Sequence, residues 1–280
     1  MTTVSRHEVD PELARRQIAD LAPRVGPLVE NSGRDPSNLR TVYRWALEAT
    51  QYRCVLDPDA GEPETWHGLR AAQQALSALF SMAAHAEGEI PVEIDGRSVR
   101  LTATGPFSLA NAGNWLTALW LSLALRDRET VRWLCGLPLE LMRASGAVHD
   151  DYMYPWVESL RAFLRRETVP PEMFTPAMAG TDPDAAHVTP PEVMLRLVYP
   201  SIKMFYHVLR RDGEALNSAL EQALTLHREH WATDDRTQDP GGILALAPMG
   251  VAIIAGDVGL PVEVRSEYLP AGFLTGADPR

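Results

Sequence analysis

Two histidines three residues apart, His227 and His230 in HREHW, precede a run of aspartates, Asp234, Asp235 and Asp239. On a helix such positions share a face, so both imidazoles can reach one metal ion, with Asp234 as a third ligand. The HExxH spacing of zinc proteases is absent. The aspartates also read as a magnesium–diphosphate motif of the type found in all-helical isoprenoid synthases. That chemistry needs a second metal-binding motif downstream. Only Asp257, Glu263, Glu267 and Asp278 follow, without an Asn/Asp-x-x-Ser/Thr pattern. A simpler reading places the imidazoles in the last turn of a helix, where its negative end favours them, with the aspartates in a polar loop. On that reading no catalytic residue, metal or cofactor is expected.

Three further groups carry polar chemistry. In His149-Asp150-Asp151-Tyr152-x-Tyr154 the carboxylates either cap a helix expected to start near Trp156 or present charge and aromatic area to a partner. Asp57, Asp59, Glu62 and Glu64, stiffened by Pro58 and Pro63, form an acidic loop that can meet a partner's arginines or lysines or remain a solvated turn. If the chain binds a protein, the contact residues expected are Asp57, Asp59, Glu62, Asp150, Asp151 and Tyr152. The third group, Asn111-Ala-Gly-Asn114-Trp115, supplies amides that can cap a helix start. No nucleophile elbow, P-loop, Rossmann glycine pattern or CxxC pair occurs.

The elements that position these groups are mostly helical. Apolar residues recur at helical spacing from Leu13 to Val25 after Pro11, from Leu39 to Leu47 ahead of Asp57-Pro58, and from Trp66 to Ala83 ahead of Gly88. One segment breaks the rule. Between Ile90 and Ala103, apolar and polar residues alternate on both sides of Asp95-Gly96, which predicts a hairpin near 92–101 with a type I′ turn. Helices resume near Ser108 and turn at Arg126-Asp127. A further helix is expected over 156–166, then an irregular, mobile surface connection over 167–189, where Pro170, Pro171, Pro176 and Pro183 fall. From 190 to 231 the pattern is helical with a turn at Arg211-Asp212-Gly213. Residues 243–254 predict a helix that is apolar all round and therefore buried, and the tail VEVRSEYL alternates as an extended strand would. The turns at 126–129 and 211–214 echo each other, as paired helices in α-solenoids do. The fold class expected is mainly α: a single domain over 1–280 of antiparallel helix pairs, bundle or solenoid-like, that buries the tryptophans and carries one small hairpin.

The 280 residues are 45% hydrophobic and 22% charged, ordinary values for a chain that folds on its own apolar core. The net charge of −11 argues against nucleic acid, which needs a basic face, and suits a basic protein partner. Cys54 and Cys135 lie in apolar helical stretches and read as buried thiols of a reducing compartment. The opening MTTVSRHEVDPE lacks the pattern of a signal peptide. The longest apolar run, 243–255, is short for a bilayer and contains Pro248, so a cytoplasmic protein without a membrane span is expected.

Several blocks, in order along nearly the whole chain, resemble a known family. They are ETWHGL (64–69), ANAGNWLTALWLSLALRD (110–127), PLELMRASG (138–146), LRRD with ALEQALTLHREHW (209–231), and VEVRSEYLP (262–270). Together they resemble the Immunity protein 49 family of bacterial polymorphic-toxin systems. The resemblance implies a mostly helical, non-enzymatic antidote that binds and masks a cognate toxin encoded beside it. It carries no residue roles across. Two rivals remain: a small helical metal enzyme built on the 227–239 cluster, and a helical scaffold for some other partner.

Overall fold

Asp10 opens the first long helix by accepting the backbone N–H of Glu12, and Pro11 takes the first helical position, where no donor is needed. From there the computed structural model, which describes residues 2–233 and 235–279, is built almost entirely of helices. Helices α1 (Pro11–Asn31), α2 (Asn38–Leu56) and α3 (Pro63–Ala84) pack in sequence, with six-residue connections reversing the chain each time. The hairpin follows, β2 (Glu89–Ile94) against β3 (Arg97–Thr102), after a two-residue strand β1 (Thr2–Thr3) at the start of the chain. Asp95 and Gly96 both adopt positive φ, 56° and 68°, as a type I′ turn requires. The hairpin lies against α1 and α3, as a cover on that end of the stack.

The second half begins with α4 (Ala112–Ala124). Asn111 caps it by accepting the N–H of Asn114, and the Asn114 amide donates back to the Leu109 carbonyl at 2.8 Å. Helices α5 (Arg128–Gly136), α6 (Leu139–Arg143) and α7 (Met153–Leu164) follow. The proline-dense stretch read as an irregular connection contains a nine-residue helix, α8 (Pro171–Ala179). Pro171 occupies its first turn, so the residue that signals a loop in sequence instead opens a helix. A short helix α9 (Pro191–Val193) then runs through a π-helical turn, Met194–Val198, into α10 (Tyr199–Leu209). Helix α11 (Gly213–Trp231) comes next, then a 3₁₀ turn at 240–242 and α12 (Leu246–Asp257).

Helix α12 is the closing piece of the core. It packs on α4, α10 and α11, so a late element returns to an early one, unlike a solenoid in which each repeat meets only its neighbours. The stretch Pro240–Asp257 has the length and mean hydropathy (1.5) to cross a bilayer, yet 67% of it is buried inside the fold. The tail is extended only over β4 (Val264–Arg265), which pairs in parallel with β1 and ties the two ends of the chain together. A last helix, α13 (Ala271–Thr275), brings Phe273 edge-on to Trp66, with ring centroids 5.0 Å apart.

One apolar core runs from Val4 to Phe273. Trp66, Trp115, Trp120 and Trp156 are buried in it, whereas Trp45, Trp133 and Trp231 are only half-buried. The two similar turns noticed in the sequence share one geometry, and a third joins them. Arg126, Arg166 and Arg211 each end a helix at positive φ. In each, the next residue's N–H reaches back five residues, to Ser122, Ala162 and His207 respectively, which is a Schellman cap with arginine in glycine's usual place. The arginine side chains then tie down their surroundings: Arg126 to Asp257 at 2.7 Å and Arg211 to the Val258 carbonyl at 3.1 Å.

Candidate partner-binding surface

The residues singled out in the sequence fall into three regions. In the 227–239 cluster the histidine nitrogens are already engaged. His227 is buried, its Nε2 is 2.9 Å from the Gly242 carbonyl oxygen, and its ring stands edge-on to Tyr268. Burial pulls its pKa down to about 4, so it is neutral near pH 7. His230 faces Glu192 at 3.2 Å and Arg236 at 2.8 Å. Asp239 accepts the N–H of Gly241 and opens the 3₁₀ turn, and Asp235 is exposed. Asp234 lies outside the described residues. Among those described, no three His, Cys, Asp or Glu side chains stand together as a metal site.

The acidic loop 57–64 is half committed. Asp57 accepts the N–H groups of Gly61 at 2.7 Å and Glu62 at 3.0 Å, and the Thr65 hydroxyl at 2.7 Å. Its carboxylate therefore fixes the loop and serves the start of α3, where Glu62 itself makes no side-chain cap. The Asp59 carbonyl receives the N–H of Gly272, and the Ala60 carbonyl receives the Trp66 indole. The carboxylates of Asp59, Glu62 and Glu64 point to solvent, beside Leu56 at 42% exposure.

The 149–154 region is rearranged relative to expectation. Helix α7 starts at Met153 with no side-chain cap, so neither aspartate caps it. Asp150 is buried. It accepts three consecutive backbone donors from another part of the chain: His187 at 2.5 Å, Val188 at 2.8 Å and Thr189 at 2.8 Å. Burial alone would raise its pKa, but these bonds and the Thr189 hydroxyl hold it at about 2. Tyr152 is also buried, which pushes its phenol up to about 12. Asp150 and Tyr152, expected as contact residues, are therefore internal fasteners with no free surface to offer. Asp151 between them is exposed.

Next to Asp151 runs a groove of about 540 Å³, walled by Arg143, Val148, His149, Tyr154 and Pro155. The Arg143 guanidinium lies 3.9 Å over the Tyr154 ring, and His149 meets that ring edge-on at 6.1 Å. Val148 on its lip is 76% exposed, the most exposed large apolar side chain described. No motif pointed to it, because a lone valine between alanine and histidine carries no periodicity. A second groove, of about 590 Å³, lies under the N-terminal strap, where Arg6 to Pro11 face Val55, Gln238 and Glu267. It is structural in character: His7 Nδ1 meets the Tyr268 hydroxyl at 2.8 Å, its Nε2 lies 3.1 Å from the Thr237 carbonyl oxygen, and Arg6 donates to the Cys54 carbonyl at 2.9 Å.

Both cysteines are free and buried, and burial pushes their thiols up to about 12, so both stay protonated near pH 7. No curated protein and no solved structure matches the chain. The family model described as Immunity protein 49 matches residues 57–273, from the acidic loop into α13, and so takes in the groove, the Asp150 fastener and α12. With that match over most of its length, the chain belongs to the Immunity protein 49 family.

Proposed function

We propose that the protein is an antidote that binds one cognate toxin stoichiometrically inside the producing cell and blocks it by occlusion. The observation that carries this reading is the family match over residues 57–273. The arrangement of the residues supports it: His227, His230 and Asp239 are tied to backbone or to neighbouring side chains, while Asp59, Glu62, Asp151 and the apolar Val148 and Val188 are freely exposed. With a net charge of −11, the partner favoured is a basic protein, such as a nuclease toxin, since complementary charge steers encounter.

The test is co-expression of the chain with the product of each adjacent gene, scoring growth and co-purification. Rescue from a toxic neighbour with a one-to-one complex is the expected result. Full rescue at sub-stoichiometric amounts, or rescue without any complex, would overturn occlusion and favour turnover.

A further inference from the structure

Resting on the immunity reading, we infer that the toxin docks on the surface formed by Val148, Val188 and the acidic turn between them, through an apolar side chain flanked by arginine or lysine. Val148 and Val188 are the two most exposed large apolar residues described, at 76% and 50%. They are forty residues apart in sequence, and their two segments are joined by a single carboxylate. Asp150 lies two residues after Val148 and accepts the N–H of Val188 itself. The surface is also fastened at both ends. Three backbone donors converge on Asp150, and at the other end of the turn a β-carbon on Gly180 would stand only 2.6 Å from the Tyr152 nitrogen. Residues 181–186 therefore arc between two anchors beside the groove. A pre-ordered surface loses little entropy on binding.

Charge identifies the occupant. From Glu167 to Leu195 the chain contains no lysine or arginine, but has Glu167, Glu172, Asp182, Asp184 and Glu192. That stretch supplies −5 of the net −11, with Glu167 paired to Arg165 and Glu192 to Arg236, so the free charge on it is that of Glu172 and the arc. Asp182 and Asp184 are exposed on the arc, and Asp151 is exposed on the facing wall. An apolar centre flanked by Asp151, Asp182 and Asp184, none of them in an ion pair among the described residues, fits a protein segment with the inverse pattern, and disfavours an acidic or uncharged one. The groove wall also holds His149 Nε2, a buried nitrogen with no partner. The rival acidic loop at 57–64 exposes only Leu56 among large apolar side chains and has Asp57 already tied up.

The experiment uses the full chain and the neighbouring toxin that it rescues, and measures Kd and growth for three variants. Val148→Arg with Val188→Arg should weaken binding about thirty-fold or more. Asp151→Arg with Asp184→Arg should weaken it and flatten its salt dependence. Asp59→Arg with Glu62→Arg should leave both unchanged. All these side chains are exposed, so melting temperatures should match the native chain and separate lost docking from lost folding. If the native chain binds and rescues while the first two variants do so equally well, or only the third fails, the docking surface is wrong and the immunity reading stands. If the native chain neither binds nor rescues against any neighbour, both fall.

Discussion

At Asp150 a single side chain does work that usually takes a stretch of secondary structure. Its carboxylate takes three successive N–H groups of a turn 37 to 39 residues further on, and no helix or sheet supplies an alternative acceptor for them. Hydrogen bonds to a charged acceptor are worth more than neutral ones, and leaving buried donors unmet is costly. Asp150→Asn, which keeps the shape and removes the charge, should therefore destabilise the protein by about 2 kcal/mol near neutral pH. The pH dependence has a defined sign. The folded carboxyl titrates near 2, below its ordinary 3.8, so between those values the unfolded chain holds more protons. The stabilisation is thus complete above the ordinary value and lost as pH falls toward 2. Urea unfolding of the variant and the native chain should show a gap at neutral pH that closes in acid; a gap independent of pH would show that the charge is not what matters. None of this was visible in the sequence. Two aspartates ahead of a helix read as caps, and nothing local marks the carboxylate as serving a distant turn.

At the scale of elements, α12 and α4 cross closely. Gly250 faces Trp120 so closely that a β-carbon there would lie 2.1 Å from the indole Cε3, and Trp120 is itself buried. Gly256, on the same helix, has nothing within 4 Å of where its β-carbon would stand. Alanine favours a helix over glycine by about 1 kcal/mol, while overpacking a core costs about 1–3 kcal/mol. Gly256→Ala should therefore raise the unfolding midpoint slightly, and Gly250→Ala should lower it despite the same gain in propensity. Equal effects at the two sites would mean that the helices slide apart freely. The contrast also explains how the elements were legible. The helices of 11–31, 38–56 and 63–84 follow from apolar spacing alone, and the hairpin from Asp95-Gly96, because those signals are local. Helix α8 was hidden because prolines mark helix starts as well as loops, and its Pro176 adds to the ambiguity. The pairing of β1 with β4 joins residues at opposite ends of the chain, and no periodicity reports a partner that far away.

Across the whole molecule, five of the eight histidines are held toward the neutral form by burial or half-burial. His7, His149, His207, His227 and His230 all have pKa values lowered first of all by burial, and for His227 the value falls from 6.5 to about 4. Three of them stand where the chain closes on itself: His7 on the N-terminal strap bonds Tyr268 of the tail, His227 packs its ring on the same tyrosine, and His230 is one helical turn on. Below 6.5 the unfolded chain takes up protons that the folded chain refuses, so stability falls as pH drops, and for His227 it continues to fall until about 4. His227 alone should account for about 1 kcal/mol of that loss by about pH 5.5. The carboxylates held below their ordinary range, Asp35, Asp150 and Glu192, begin to cost stability only at lower pH. The first part of the acid limb therefore belongs to the histidines. Urea midpoints should decline from about pH 7.5 to about pH 5.5 in the native chain. In His227→Gln the slope should be shallower, because the amide can still donate to the Gly242 carbonyl but takes up no proton on unfolding. Parallel slopes in the two proteins would show that the closure at Tyr268 admits the proton, and that the ends of the chain separate locally before the fold does.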